Sequence, residues 1–140
     1  NRNMGYVNQI GIQNQGGITQ FGNRNQSNLW LEGSNLQVVS RQIGNNNEIN
    51  SFTDSQYSSS KKVALNQLGS NNEMEVALIG SEIFGASIFG SQFNQIGSGH
   101  SLSAVVENPN SSIRVTQTSG VGGQGMRLSI SNTTFNFPGK

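Results

Sequence analysis

The chain contains no cysteine, which excludes disulfides and thiolate metal sites at once. Charge is scarce as well: 11% of the 140 residues, with a net charge of +1. The eight lysines and arginines are scattered rather than clustered, so the electrostatic footprint of a nucleic-acid binder is missing. No run of about 18 apolar residues occurs, so nothing here spans a membrane as a helix. Hydrophobic residues reach only 32%, against 18 glycines and a large excess of Asn, Gln and Ser. That balance is the mark of disorder or of an amide-rich, β-aggregating segment. The opening "NRNMGYVNQ" has no signal-peptide character, and a mature secreted chain would have lost such a segment.

The groups that catalysis needs are equally thin. An enzyme wants a nucleophile beside a base, or paired carboxylates in a cleft. There is one histidine, His100, and one aspartate, Asp54, the latter in a polar stretch. No His and carboxylate cluster has metal-ligand spacing. "GVGGQG", Gly120 to Gly125, has the look of a phosphate-cradling loop, yet neither Lys-Ser nor Lys-Thr follows it and no helix does, so a flexible turn is expected. The sequence therefore predicts no enzyme, no cofactor, no metal and no small-molecule substrate.

What is present is a repeat. "NQIGIQN" (from Asn8), "TQFGNRN" (from Thr19), "RQIGNNN" (from Arg41), "NQLGSNN" (from Asn66) and "NQIGSGH" (from Asn94) all read Gln, apolar, Gly, two variable residues, then Asn or His. A degenerate copy, "TQTSGVGGQG", starts at Thr116. The glutamines are Gln9, Gln20, Gln42, Gln67, Gln95 and Gln117; after a first half-step the intervals are 22, 25, 28 and 22 residues. The two longer intervals place insertions around "DSQYSSSKK" and "GSEIFGAS", where composition favours turns. Self-similarity at such a period signals stacked repeats.

Between the motifs, period two dominates, the signature of strands. In phase with Gln42 and Asn47 lie Leu36, Val38, Ser40, Ile49, Ser51 and Thr53; the next copy supplies Val63, Leu65, Met74, Val76 and Leu78. The later copies supply Phe89, Ser91, Phe93, Leu102, Ala104 and Val106, then Ile113, Val115, Met126, Leu128 and Ile130. Out of phase fall Arg41, Glu48, Lys62, Glu73, Glu75, Glu107, Arg114 and Arg127. Each repeat thus reads as strand, arc, strand, with one small or apolar face. Two short strands cannot bury a face alone, so repeats must stack, each rung adding about 4.8 Å.

The expected fold is therefore all-β: a β-solenoid of about five stacked strand-arc-strand repeats, two facing parallel sheets, amyloid-like. Residues 1–140 form a single domain, with a leading strand at 3–11, repeats near 14–33, 36–55, 61–80, 89–108 and 111–134, and a tail at 135–140. In such a stack an amide side chain can donate to one rung and accept from another, satisfying buried polar groups that would otherwise cost about 1–3 kcal/mol each. The expected ladder and arc residues are Gln9, Gly11, Asn14, Gln20, Gly22, Asn25, Gln42, Gly44, Asn47, Gln67, Gly69, Asn72, Gln95, Gly97, His100 and Gln117. Glycine is expected where the arc demands positive φ, and Asn as the next most tolerant residue; His100 stands in for Asn. Ile10, Phe21, Ile43, Leu68 and Ile96 point outward and form an apolar column, a candidate for lateral contact, with Trp30 also out of phase.

The QxGxxN core, its period near 22 and its five repeats resemble the curlin repeats of bacterial curli subunits: Ser, five residues, QxGxxN, about five residues, then Gln. "QIGIQNQGGITQ", Gln9 to Gln20, matches the later part including the closing Gln, whereas Thr53, Leu78 and Val106 stand at that place in other copies. "SSIRVTQ", Ser111 to Gln117, is similar to the end of a minor curlin. The resemblance covers roughly Asn8 to Asn132. It implies a secreted subunit that polymerises head to tail into an extracellular, cell-surface fibre for adhesion and biofilm matrix, with other fibre subunits and outer-membrane secretion machinery as partners. The unequal repeats, the turn "SGVGGQGM" without its Asn, and the like charges Glu48 and Glu73 on adjacent rungs suit a minor, nucleator or anchor subunit, or a divergent curlin-like fibre subunit. A monomeric β-solenoid binding module is the remaining alternative; it needs a flat column of Thr or aromatics, which Thr19, Arg41, Asn66, Asn94 and Thr116 do not supply. Pro138 is expected to blunt one strand edge if the terminal segment folds over the last rung.

Overall fold

The computed structural model describes residues 2–54, 61–77, 90–106, 113–119, 123 and 125–132. Its strands are β1 (Met4–Gly5), β2 (Gln15–Asn23), β3 (Gln26–Ser27), β4 (Leu36–Asn45), β5 (Glu48–Ile49), β6 (Lys61–Leu68), β7 (Glu73–Val76), β8 (Ser91–Ile96), β9 (Ser101–Val106), β10 (Arg114–Thr118) and β11 (Arg127–Asn132). Among the described residues there is no helix. Leu78, Phe89, Glu107, Pro138, the tail 135–140, most of both insertions and most of "GVGGQG" lie outside the described residues.

The first sheet is wholly parallel, in the order β10-β8-β6-β4-β2. Facing it are two parallel triplets, β1-β3-β5 and β7-β9-β11. Backbone bonds join the triplets: the Glu48 N–H donates to the Asn72 carbonyl at 2.8 Å and the Asn50 N–H to the Met74 carbonyl at 3.1 Å. The result is a parallel β-solenoid in which five first-sheet strands mark four steps of the coil.

The core lies between the sheets and is built by the period-two pattern. Leu36, Val38, Val63, Leu65, Phe93 and Val115 enter from the first sheet; Ile49, Met74, Val76, Leu102 and Ala104 enter from the second. Each large apolar side chain so buried contributes about 1.5–3 kcal/mol. Register keeps buried beside buried, as in Ser40 beside Leu65 beside Phe93 in one column. The out-of-phase Arg41, Lys62, Glu73, Glu75, Arg114 and Arg127 are exposed, and Glu48 is half-buried. At the corner after β3 the chain is irregular: Leu29, Leu31 and Glu32 take positive φ of 47°, 52° and 81°. Both leucines are buried, and their burial offsets a conformation that bulky residues seldom adopt.

The leading segment departs from the expected strand at 3–11. Only Met4–Gly5 is strand, and it pairs with β3 in the second sheet. Residues beyond it turn the opposite corner: the Gly11 N–H donates to the Glu32 carbonyl at 2.9 Å, and the Asn35 N–H to the Ile12 carbonyl at 3.0 Å. The half-step from Gln9 to Gln20 is thus a move from one corner of the coil to the other.

Candidate functional site

The arcs between the first and second sheets carry the side chains that the motif repeats. Gln20, Gln42, Gln67, Gln95 and Gln117 stand in one column, fixed by strand register. Each Nε2 donates to the Oε1 of the following rung, at 2.7, 2.9, 2.8 and 2.9 Å in order. A second N–H crosses to the facing sheet: Gln20 to the Met4 carbonyl, Gln67 to Glu48, Gln95 to Glu73 and Gln117 to Ser101. Gln42, Gln67, Gln95 and Gln117 are buried, so these bonds remove a desolvation penalty of about 1–3 kcal/mol per group.

Beside them runs a second column, Asn25, Asn47, Asn72 and His100. Each Asn Nδ2 donates to the glycine carbonyl of the next rung, at 2.8 Å to Gly44, 2.8 Å to Gly69 and 2.9 Å to Gly97. Each Oδ1 accepts the backbone N–H of the next member at 3.1 Å. His100 continues the pattern with other atoms. Its Nδ1 accepts the Met126 N–H at 3.1 Å, the part an Asn oxygen plays elsewhere, and its Nε2 lies 3.0 Å from both the Ile96 carbonyl and Ser119 Oγ. Asn3 heads the column: its Oδ1 accepts from the Asn25 N–H at 3.1 Å and its Nδ2 donates to the Gly22 carbonyl at 3.0 Å. Asn3 was legible only as an Asn one period before Asn25, outside any motif.

Gly22, Gly44, Gly69 and Gly97 share φ between +112° and +126°. A Cβ on any of the first three would overlap the carbonyl oxygen of the next glycine, and on Gly97 it would overlap Ser119 Oγ. Glycine is therefore needed both for its conformation and for close approach. The expectation that the motif Asn takes positive φ is corrected by one residue. Arg24, Asn46, Asn71 and Gly99 are the left-handed positions, at 55°, 55°, 56° and 71°, because there the chain reverses while the following Asn must aim inward to join its column. Asn and Gly at three of these places were a usable signal; Arg24 obscured it.

Gln9, Gly11 and Asn14 do not belong to these columns. They occupy the other corner, where Asn14 Oδ1 accepts the Leu36 N–H at 3.0 Å and Nδ2 donates to the carbonyls of Glu32 (2.7 Å) and Gly33 (2.8 Å). The motif's letters thus recur at the opposite corner, half a period away. Ile10 accordingly stands apart from the outer apolar column, which consists of Phe21, Ile43, Leu68 and Ile96 and ends at Thr118. Phe21, Leu68 and Ile96 are 59%, 48% and 43% exposed, and Ile43 is half-buried between its neighbours. Trp30 is on neither column; its ring meets Phe52 edge-on, centroids 4.9 Å apart. The adjoining column, Thr19, Arg41, Asn66, Asn94 and Thr116, is chemically mixed.

Among the described residues no three His, Cys, Asp or Glu side chains gather as metal ligands would. The arrangement defines a class: a parallel β-solenoid held by in-register amide ladders. Compared with known proteins, the chain matches no family model, no curated sequence and no solved structure.

Proposed function

We propose that the chain is a structural subunit of a secreted, curli-like extracellular fibre, adding copy to copy along the solenoid axis. The observation that carries this reading is the constancy of register. Gln, Gly and Asn columns repeat with the same bonds from rung to rung, while β10 and β2 stand at the two ends of the first sheet with no further strand beside them among the described residues. An unpaired parallel edge already carrying the column pattern is a template for another copy. Adhesion and biofilm matrix are the roles such a fibre serves, and a nucleator within it is the variant that the unequal repeats favour. The apolar column is the face by which neighbouring filaments would associate.

The purified chain should form unbranched fibrils in electron microscopy, with a reflection near 4.8 Å along the fibre in diffraction. A solution that stays monodisperse and monomeric over days defeats the proposal.

A further inference from the structure

The two ends of the stack are not equivalent. In a parallel ladder the N–H and C=O of one residue point to the same neighbour, and successive residues alternate sides. Residues in phase with the buried columns send theirs toward the preceding rung, as the N–H groups of Gly69, Gly97 and Ser119 do, donating to Ile43, Leu68 and Ile96. At the start of β2 the corresponding groups, the carbonyl of Asn14 just ahead of it and the Gly16 N–H, face away from β4, where a preceding strand would stand. The Gln9 side chain occupies that place. The orientation of the Gln9 amide that satisfies both neighbours, assigned from the hydrogen-bond network, has its nitrogen donating to the Asn14 carbonyl at 2.8 Å and its oxygen accepting the Gly16 N–H at 3.1 Å. A primary amide thus does there what a neighbouring peptide group would do.

Packing at the same point is complementary. Gly16 stands in the column of Val38, Val63 and Ser91, and is its one glycine. A Cβ on Gly16 would overlap Val7 Cγ1, and Val7 packs against the core cluster. Val7 therefore supplies, from half a turn earlier, the apolar group that Gly16 lacks. The sheets also end unevenly here, since β1 carries the second sheet one strand past β2, whereas β10 and β11 close the other end with one strand each.

We propose that Val7 and Gln9 form a latch over the edge of β2 which a second copy of this chain must displace before it can stack there. A second copy is the occupant because its β10 continues the columns: Val115 and Gln117 fall in line with Ile18 and Gln20. The inference rests on the fibre reading and adds where assembly is gated. Opening the latch clears the edge for the incoming copy, whose β10 then falls in line with residues 17–21 of β2.

Two variants and one structural readout test it. Gln9→Ala should raise exchange of the Gly16 amide hydrogen by about tenfold and shorten the lag of fibre formation at least about threefold, the scale of one lost neutral hydrogen bond. Val7→Cys with Gly16→Cys places the only two thiols of the chain across the latch. Oxidised, this variant should seed and elongate poorly; reduced, it should recover, with the same monomer circular dichroism in both states. Fibres that form with an unchanged lag in Gln9→Ala, or equally well from oxidised and reduced double variant, overturn the latch alone. An unchanged Gly16 exchange rate does the same. If neither wild type nor any variant assembles, the fibre reading falls, and the gating role with it.

Discussion

A methyl group added to Gly69 would sit 2.6 Å from the Gly97 carbonyl carbon and overlap its oxygen, at a backbone φ of +126°. Neither conflict can be relieved by a side-chain rotation, because both partners are main chain. Gly17 is a control on the same sheet: a Cβ there meets only Val39 Cγ1, at 3.6 Å. Urea unfolding of the monomer should therefore show Gly69→Ala losing about 3 kcal/mol or more, and Gly17→Ala within about 0.5 kcal/mol of wild type. Equal losses would mean that the glycine column is ornamental. At this scale the sequence was informative about which residues matter and less so about how. Spacing placed Gln42, Gly44 and Asn47 together, but the left-handed turn falls on Asn46, a variable position whose counterpart is Arg24 in the preceding rung.

Strands were readable because burial has period two here and the Gln, Gly and Asn of each motif fix its phase, so Leu36, Val38 and Ser40 declare their face without reference to anything distant. Corners were harder. Leu29 and Leu31 look like strand residues, and only the tertiary burial of both explains their positive φ. Gln9 to Asn14 has the motif's letters, yet sits at the opposite corner, since letters report local geometry and not the rung to which a segment belongs. Between elements, Glu48 and Glu73 meet across the junction of the two triplets, where the Glu48 N–H bonds the Asn72 carbonyl. Gln26 and Asn50 donate to the Glu48 carboxylate at 3.3 and 3.4 Å, and Ser101 Oγ to Glu73 at 3.2 Å. Those donors soften a repulsion that stacked like charges otherwise impose. Glu73→Gln should therefore gain about 0.2–1 kcal/mol in thermal unfolding at low salt, with the gain shrinking as salt rises; a destabilised variant would show that the Ser101 bond outweighs the repulsion.

For the molecule as a whole, Phe21, Ile43, Leu68 and Ile96 form one straight apolar line along the outside of the first sheet. Their side chains face away from the core, so replacing Ile43 and Leu68 together by Ser should leave monomer stability within about 1 kcal/mol. Bundling of filaments, scored by width in electron microscopy, should fall in the same variant. Undiminished bundling would remove the column from lateral association and leave it a stiffening strip.

The glutamine column has a sense of direction. From Gln20 to Gln95 every Nε2 points to the Oε1 of the following rung, so four hydrogen bonds join five amide dipoles head to tail and these polarise one another. The molecule is in this respect a short electrical wire with unlike terminals, oxygen toward Gln20 and hydrogen toward Gln117. A copy added in the same sense lengthens the series, while a reversed copy sets like pole against like. A filament built this way carries an arrow along its whole length, and its two tips should grow at different speeds.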